Sequence, residues 1–210
     1  MKIKLFVFTI ILTLVLCLCG CESGLPYEKE EKLYGTHNAV MTIKDFGEVK
    51  IELYGDIAPV TVANFVRLIK DGFYNGLTFH RVISDYMIQG GDPNGDGSGN
   101  SAPRIYGEFK SNGFENSLKH EKGVLSMARS SDYNSASCQF FIMLGDEARL
   151  DGDYAAFGKV VEGRDIIEAV AASIKSTGAN GEISADKQPI IEKIEMLYEE
   201  STSDTPNAKE

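Results

Sequence analysis

Short strand-like runs dominate the interior of this chain, and only two helical periodicities interrupt them. Val49, Ile51 and Leu53 alternate with Lys50 and Glu52, the two-residue period of a half-buried strand. Val40 to Lys44 makes a second strand, and Asp45-Phe46-Gly47 between the two reads as a hairpin turn. Apolar runs at Leu77–Ile83, Met87–Gln89, Val124–Met127, Gln139–Leu144, Ala156–Val161 and Ile190–Tyr198 predict further strands. Pro59, suited to a first helical turn, precedes Val62, Phe65, Val66 and Ile69, which share one face of a helix that Asp71-Gly72 ends. Ile167, Val170, Ala171 and Ile174 repeat that spacing after Gly163, with Asp165 near the positive helix start. Many strands with two helices imply a barrel or sandwich with capping helices.

The ends of the chain are different material. Lys2 and Lys4 precede an apolar run from Leu5 to Leu18, the pattern of a secretory signal. Those fourteen residues fall short of the ~20 a bilayer-spanning helix needs. Leu18-Cys19-Gly20-Cys21 then resembles a bacterial lipobox, in which cleavage falls before the cysteine and its thiol carries the lipid. Cys21 is the candidate, because Cys17 and Cys19 lack a small residue just before them. The expected organisation is a lipoprotein signal over 1–20, a polar tether over 21–36, one folded domain over 37–198 and a disordered tail over 199–210. The expected location is extracytoplasmic, on a bacterial cell membrane through lipid on Cys21.

Charge narrows the partners. The 210 residues carry a net charge of −10, and removal of 1–20 leaves 19 basic against 31 acidic residues. Such a surface excludes nucleic acid and docking on anionic lipid through a basic face. Without residues 1–20 the cysteines are Cys21 and Cys138, so no disulfide framework and no Cys-pair zinc site is available. Cys138 sits in the apolar run Cys-Gln-Phe-Phe-Ile and reads as a small core residue.

Three stretches point to chemistry: Phe79-His80-Arg81-Val82-Ile83, Met87-Ile88-Gln89-Gly90-Gly91-Asp92 and Gln139-Phe140-Phe141-Ile142. Together, at this spacing, they resemble the signature of the cyclophilins, the peptidyl-prolyl cis-trans isomerases. The resemblance covers about 160 of the 210 residues. It implies a mainly β fold, a closed eight-stranded antiparallel barrel with a helix over each end. A barrel of eight strands fills its interior with side chains, so the site is expected on the outer wall.

The chemistry of such a site is spare. Rotation about an X–Pro bond meets a barrier of about 18–20 kcal/mol and makes or breaks no covalent bond. In the twisted amide the nitrogen lone pair leaves resonance and becomes an acceptor, so a fixed, always-charged donor beside it is strongest there. Arg81 matches the family's catalytic arginine, and Gln89, catalytic with it, can accept from the guanidinium and donate to the substrate carbonyl. Phe141 and Met87 match the floor and wall of the proline pocket, Leu150 its far rim, and Tyr86 stands where the family usually has phenylalanine. Ala128 and Arg129 match the segment whose backbone pairs with an extended substrate, Gln139 a further groove residue, and Gly97 the glycine-rich loop bordering the pocket. Arg149 falls at the family's groove tryptophan, which disfavours tight cyclosporin binding, and Tyr154 at its groove histidine. His80 is expected on the opposite face from Arg81 by strand alternation.

Rival sites are weaker. Asp92-Pro93-Asn94-Gly95-Asp96-Gly97 starts like a calcium loop, but Pro103 stands where the bidentate glutamate belongs. The glycines there lack the Gly-Lys-Ser/Thr of a phosphate cradle. His37, His80 and His120 share no metal-ligand spacing, so no cofactor or metal is expected. The reading is a monomeric isomerase that accelerates X–Pro rotation in exported or surface proteins. The alternative class is a binding module, a groove of the same shape that holds proline-containing segments with little turnover.

Overall fold

The computed structural model describes residues 30–101, 103–174, 178 and 180–198. Its elements run β1 (Thr36–Ile43), β2 (Gly47–Tyr54), α1 (Pro59–Lys70), β3 (Thr78–Ile83), β4 (Met87–Asp92), β5 (Val124–Met127), β6 (Phe140–Met143), β7 (Ala156–Glu162), α2 (Arg164–Ser173) and β8 (Ile191–Leu197). The expected strands and both helices are present, with ends shifted by a few residues. Residues 1–29, which hold the signal and Cys21, and the tail 199–210 lie outside the described residues.

The strands form one antiparallel sheet in the order β3-β4-β6-β5-β7-β2-β1-β8. The expectation of a closed barrel is corrected: the sheet is an open half-barrel, and its edge strands β3 and β8 share no ladder. They meet only near their starts. Phe79 N–H donates to Pro189 O at 3.0 Å, Ile191 N–H donates to Leu77 O at 2.8 Å, and Thr78 and Ile190 form an isolated bridge. Two features stop the seam from continuing. Pro189 has no N–H to give a ladder. Beyond Phe79 the free edge of β3 is taken by the segment before β8, with Val82 N–H on Gly181 O at 2.8 Å and Ile183 N–H on His80 O at 2.9 Å.

The sheet encloses an aromatic core. Phe65 of α1 lies 5.0 Å from the Tyr74 ring, 5.4 Å from Phe140 and 5.0 Å from Phe157. The Tyr74 hydroxyl donates to Cys138 O at 3.0 Å, and Cys138 is fully buried, as a small core residue should be. Burial pushes its thiol pKa up. Helix α1 is buried almost all round, wider than the single face its periodicity predicts; only Arg67 and Lys70 escape. Its first turn has no side-chain cap of its own. The cap comes from a distant loop: the fully buried Glu108 carboxylate accepts from Val60 N–H at 3.0 Å and Thr61 N–H at 2.8 Å. Those amides are helix-start donors that need a partner.

Residues 30–35, inside the expected tether, lie against this body. Leu33 N–H donates to Pro59 O at 3.0 Å, Gly35 N–H to Asp56 Oδ1 at 2.9 Å, and the Glu30 carboxylate accepts from Tyr106 N–H at 3.0 Å. Among the described residues no helix is long and apolar enough to cross a membrane.

Candidate active site

Strands β3, β4 and β6 lie side by side, which puts Arg81, Gln89 and Phe141 in register: Arg81 pairs with Gln89, and Gln89 with Phe141. Three consecutive strands thus deliver a cation, an amide and a ring to one patch of the outer wall. Ile88 and Phe140, each one residue away on its strand, and Phe79, two residues before Arg81 across the unpaired His80, face the core and are fully buried.

Arg81 is held at two points. Its Nε donates to Asn180 O at 2.7 Å and its Nη1 to Gln89 Oε1 at 3.1 Å. The chain of amides continues, with Gln89 Nε2 on Gln139 Oε1 at 2.9 Å and Gln139 Nε2 on Gly97 O at 3.1 Å and Gly99 O at 2.8 Å. Gln89 therefore accepts from the guanidinium as its chemistry suggests, while one of its two N–H groups is committed to Gln139.

Beside this polar line is an apolar cavity of about 180 Å³. Arg81 and Gln89 form one side of it. Tyr86, Met87, Phe141, Leu150 and Tyr154 supply the apolar lining, with Ala128 and Arg129 closing the remaining edge. Tyr154 meets the Phe141 ring edge-on at 5.9 Å. Gln139 and Gly97 fall instead in an adjoining cavity of about 270 Å³, which shares Gln89, Ala128 and Arg129 with the first. Its other walls are polar, with Asn100, Arg104 and Ser137 among them. The predicted residues are thus brought together, but in two neighbouring compartments.

Three placements differ from the sequence reading. Arg129, expected to act through its backbone, also works through its side chain. Its guanidinium lies 4.6 Å from the Tyr154 ring centroid, 4.9 Å from Tyr133 and 5.1 Å from Phe109, and its Nε donates to Asp153 O at 2.9 Å. Contacts of this kind pin Tyr154 over the cavity. Arg149 does not line the cavity: its side chain is 87% exposed and forms a two-point pair with Glu147, at 2.8 and 2.7 Å. That pairing holds the Glu147 carboxyl down at about 2. Third, His80 is not on the opposite face from Arg81. The register of β3 on β4 jumps between Phe79 and Arg81, so His80 is the extra residue of a bulge, and both side chains border one cavity. Alternation fails where a strand carries an unpaired residue.

Behind the floor lies a group the sequence did not reveal. His120 Nδ1 is 3.1 Å from Asp151 Oδ1, its Nε2 is 3.0 Å from Ser126 Oγ, and its ring stacks on Phe141 at 6.1 Å. A carboxylate only accepts, so Nδ1 carries the proton and Nε2 accepts from the serine hydroxyl. The order Ser-His-Asp resembles a hydrolytic triad, but Ser126 is fully buried and no substrate carbonyl can reach it. The group ties the floor, Ser126 and Phe141, to the rim turn that follows Leu150. Burial lowers the His120 pKa, opposed in part by Asp151. Asp92, at the head of the calcium-like stretch, spends its carboxylate on the Asn94 and Asp96 amides at 3.0 and 3.1 Å.

Comparison with known proteins agrees with this wall of strands. Residues 39–196 match the family model of the cyclophilin type peptidyl-prolyl cis-trans isomerases. A peptidyl-prolyl cis-trans isomerase-like protein 1 of Rhizopus delemar is 39% identical over 168 residues, 80% of this chain and 91% of that protein. A peptidyl-prolyl cis-trans isomerase of Acinetobacter baylyi is 38% identical over 161 residues, 73% of this chain and 82% of the relative. The crystal structure of a cyclophilin type isomerase of Cryptosporidium parvum, obtained in the presence of the dipeptide Ala-Pro, superposes with a TM-score of 0.68 at 29% identity, over 77% of this chain and 99% of that one. This chain belongs to the cyclophilin family and is a peptidyl-prolyl cis-trans isomerase. Its substrates are proline-containing peptide segments.

Proposed function

We propose that Arg81 drives this isomerisation by donating to the proline nitrogen as the amide twists. The single observation that carries the reading is the fixed guanidinium, held by Asn180 O and Gln89 Oε1, beside an apolar cavity floored by Phe141. A proline ring seated on Phe141, between Met87 and Leu150, presents its amide to that guanidinium. In the planar ground state the nitrogen has no lone pair to offer, so the bond forms only on the way to the twisted state. A ~10⁵-fold acceleration needs roughly 7 kcal/mol of such differential stabilisation, shared between the arginine and exclusion of water. The free N–H of Gln89 donates to the carbonyl preceding the proline. Ala128 N–H is taken by Gln139 O at 2.9 Å, so pairing with an extended substrate falls to the Ala128 carbonyl and to Arg129.

The same proposal places the enzyme outside the cytoplasm, monomeric and anchored by lipid on Cys21, assisting the folding of exported or surface proteins. The support is the charged start, the apolar run and the Leu18-Cys19-Gly20-Cys21 box. A single acyl chain holds a membrane only marginally and two hold stably. Cell fractionation tests the anchor: the protein should sediment with membranes and the Cys21→Ser variant should not. Mass spectrometry that finds an unmodified Cys21, or residues 1–20 intact, refutes it. A protease-coupled assay on a proline tetrapeptide tests the reaction, with a rate proportional to enzyme expected and the uncatalysed rate contradicting it.

A further inference from the structure

A third cavity, of about 400 Å³, shares Arg81 and Gln89 with the apolar one and none of its apolar lining. The Arg81–Gln89 pair is thus a partition with a compartment on each side. Its far side is built from the Gly95–Gly97 turn and the stretch Glu182 to Gln188. That frame is tied together. Gln188 Nε2 donates to Gly95 O at 2.7 Å and Ile183 O at 3.0 Å, and the Thr78 hydroxyl donates to Gln188 Oε1 at 2.5 Å. The turn needs its glycines, with φ of +67° at Gly95 and +87° at Gly97.

His80 is the unusual member. The bulge turns it toward this compartment, it is 5% exposed, and neither ring nitrogen has a hydrogen-bond partner among the described residues. A side chain added at Gly97 would come within 3.9 Å of His80 Nε2, so the ring lies just under the turn. Burying an imidazole with both nitrogens unpaired is costly, and a ligand that supplies a partner recovers that cost.

Ile183 and Ala185 add apolar surface, and two further side chains of the lining, Asp96 and Glu182, are acceptors. Asp96 is exposed, and hydrogen bonds from Ser98 keep its carboxyl below the usual range. Glu182 adds a second carboxylate, held by the Asn180 amide N–H at 3.2 Å and Nδ2 at 3.0 Å. Arg81, the one cation among the described residues of this lining, already donates to Asn180 O and Gln89. Burial lowers the His80 pKa, which leaves the ring neutral and able to accept on one nitrogen. Two carboxylates, one imidazole acceptor and a committed arginine suit a donor-rich cation.

We propose that this compartment is a second substrate subsite that selects a lysine or arginine side chain within about two residues of the proline, since an extended residue spans only ~3.3–3.6 Å. The proposal rests on the isomerase reading of the Arg81 cavity and adds sequence preference to it.

The test is exchange NMR on alanine-based proline peptides carrying one lysine, one glutamate or neither at each of the two positions on either side of the proline. Full-length protein, Asp96→Asn and Asp96→Lys are compared by the ratio of kcat/KM for lysine over alanine at the same position. At one position the ratio should reach about tenfold, worth ~1.4 kcal/mol. Asp96→Asn should cut it severalfold, and Asp96→Lys should reverse it in favour of glutamate, while the His80 ring resonances shift when the lysine peptide binds. A ratio within twofold of unity at every position overturns the subsite. So does a ratio that Asp96→Lys leaves unchanged, or a His80 ring blind to the peptide. Turnover of the alanine peptide reports separately on the isomerase reading. If it is absent, titration of the same peptides by His80 shifts still decides the subsite.

Discussion

Phe140 and Phe141 are neighbours on β6, 0% and 6% exposed, yet they belong to different parts of the molecule. Phe140 packs inward with Phe65, Tyr74 and Phe79, inside the half-barrel. Phe141 packs outward in a second cluster with Met87, Val124, Met143, Leu150 and Ala156, and one side of that cluster is the apolar cavity. By area the two rings are nearly equivalent. What separates them is the company they keep. The inner ring is surrounded by rings, while the outer one has a hydrogen-bonded wall of Arg81 and Gln89 beside it and a buried His120–Asp151 pair behind it. Burial marks both clusters, and only the polar neighbours mark the site.

That contrast can be broken by paired substitutions. Phe140→Ala should carry the largest cost, about 3–5 kcal/mol in urea unfolding, because it leaves a closed void. Glu108→Ala should follow at ~1–3 kcal/mol, since it strips the α1 amides of their acceptor deep in the molecule while leaving KM unchanged in a folded sample. Phe141→Ala should cost less stability than Phe140→Ala, because the ring already borders open space. It should instead raise KM roughly tenfold, the value of one lost aromatic contact, ~1.4 kcal/mol. Equal stability losses at 140 and 141, with KM unmoved at both, would erase the distinction between the clusters.

The smallest effect is a pH dependence. His120 and His80 are both held below 6.5 by burial, so the unfolded chain binds protons more readily than the folded one. Stability should be full above about pH 6.5 and fall as pH drops through the folded pKa values. His120→Gln should flatten part of that fall and His80 should account for the rest. Denaturant midpoints from pH 7.5 to 5 decide it, and a wild-type midpoint that rises on acidification would reverse the sign.

Much of this was legible because local patterns and local structure agree. Alternation at Val49, Ile51 and Leu53 put them in the core, and the three motifs on β3, β4 and β6 brought Arg81, Gln89 and Phe141 into register. The hidden parts depend on remote chain. Asn180 O orients Arg81 from 99 residues away, and the Glu108 cap reaches α1 over nearly fifty. His120 and Asp151 meet across 31 residues with no shared motif. His80 was misplaced because a bulge adds a residue without changing composition, and the closed barrel failed because the 180–183 segment covers the edge β8 was expected to fill.

In the proposed mechanism the fixed arginine of the outer wall acts on the twisted amide and not on the fold. Turnover of a proline peptide and urea unfolding, measured on the same preparation of Arg81→Ala, test it most directly. Turnover should fall by at least ~10²-fold, the scale for loss of a transition-state donor. Stability should change by no more than about 0.5 kcal/mol, as for a side chain outside the core. Turnover close to wild type in a folded Arg81→Ala protein would contradict it.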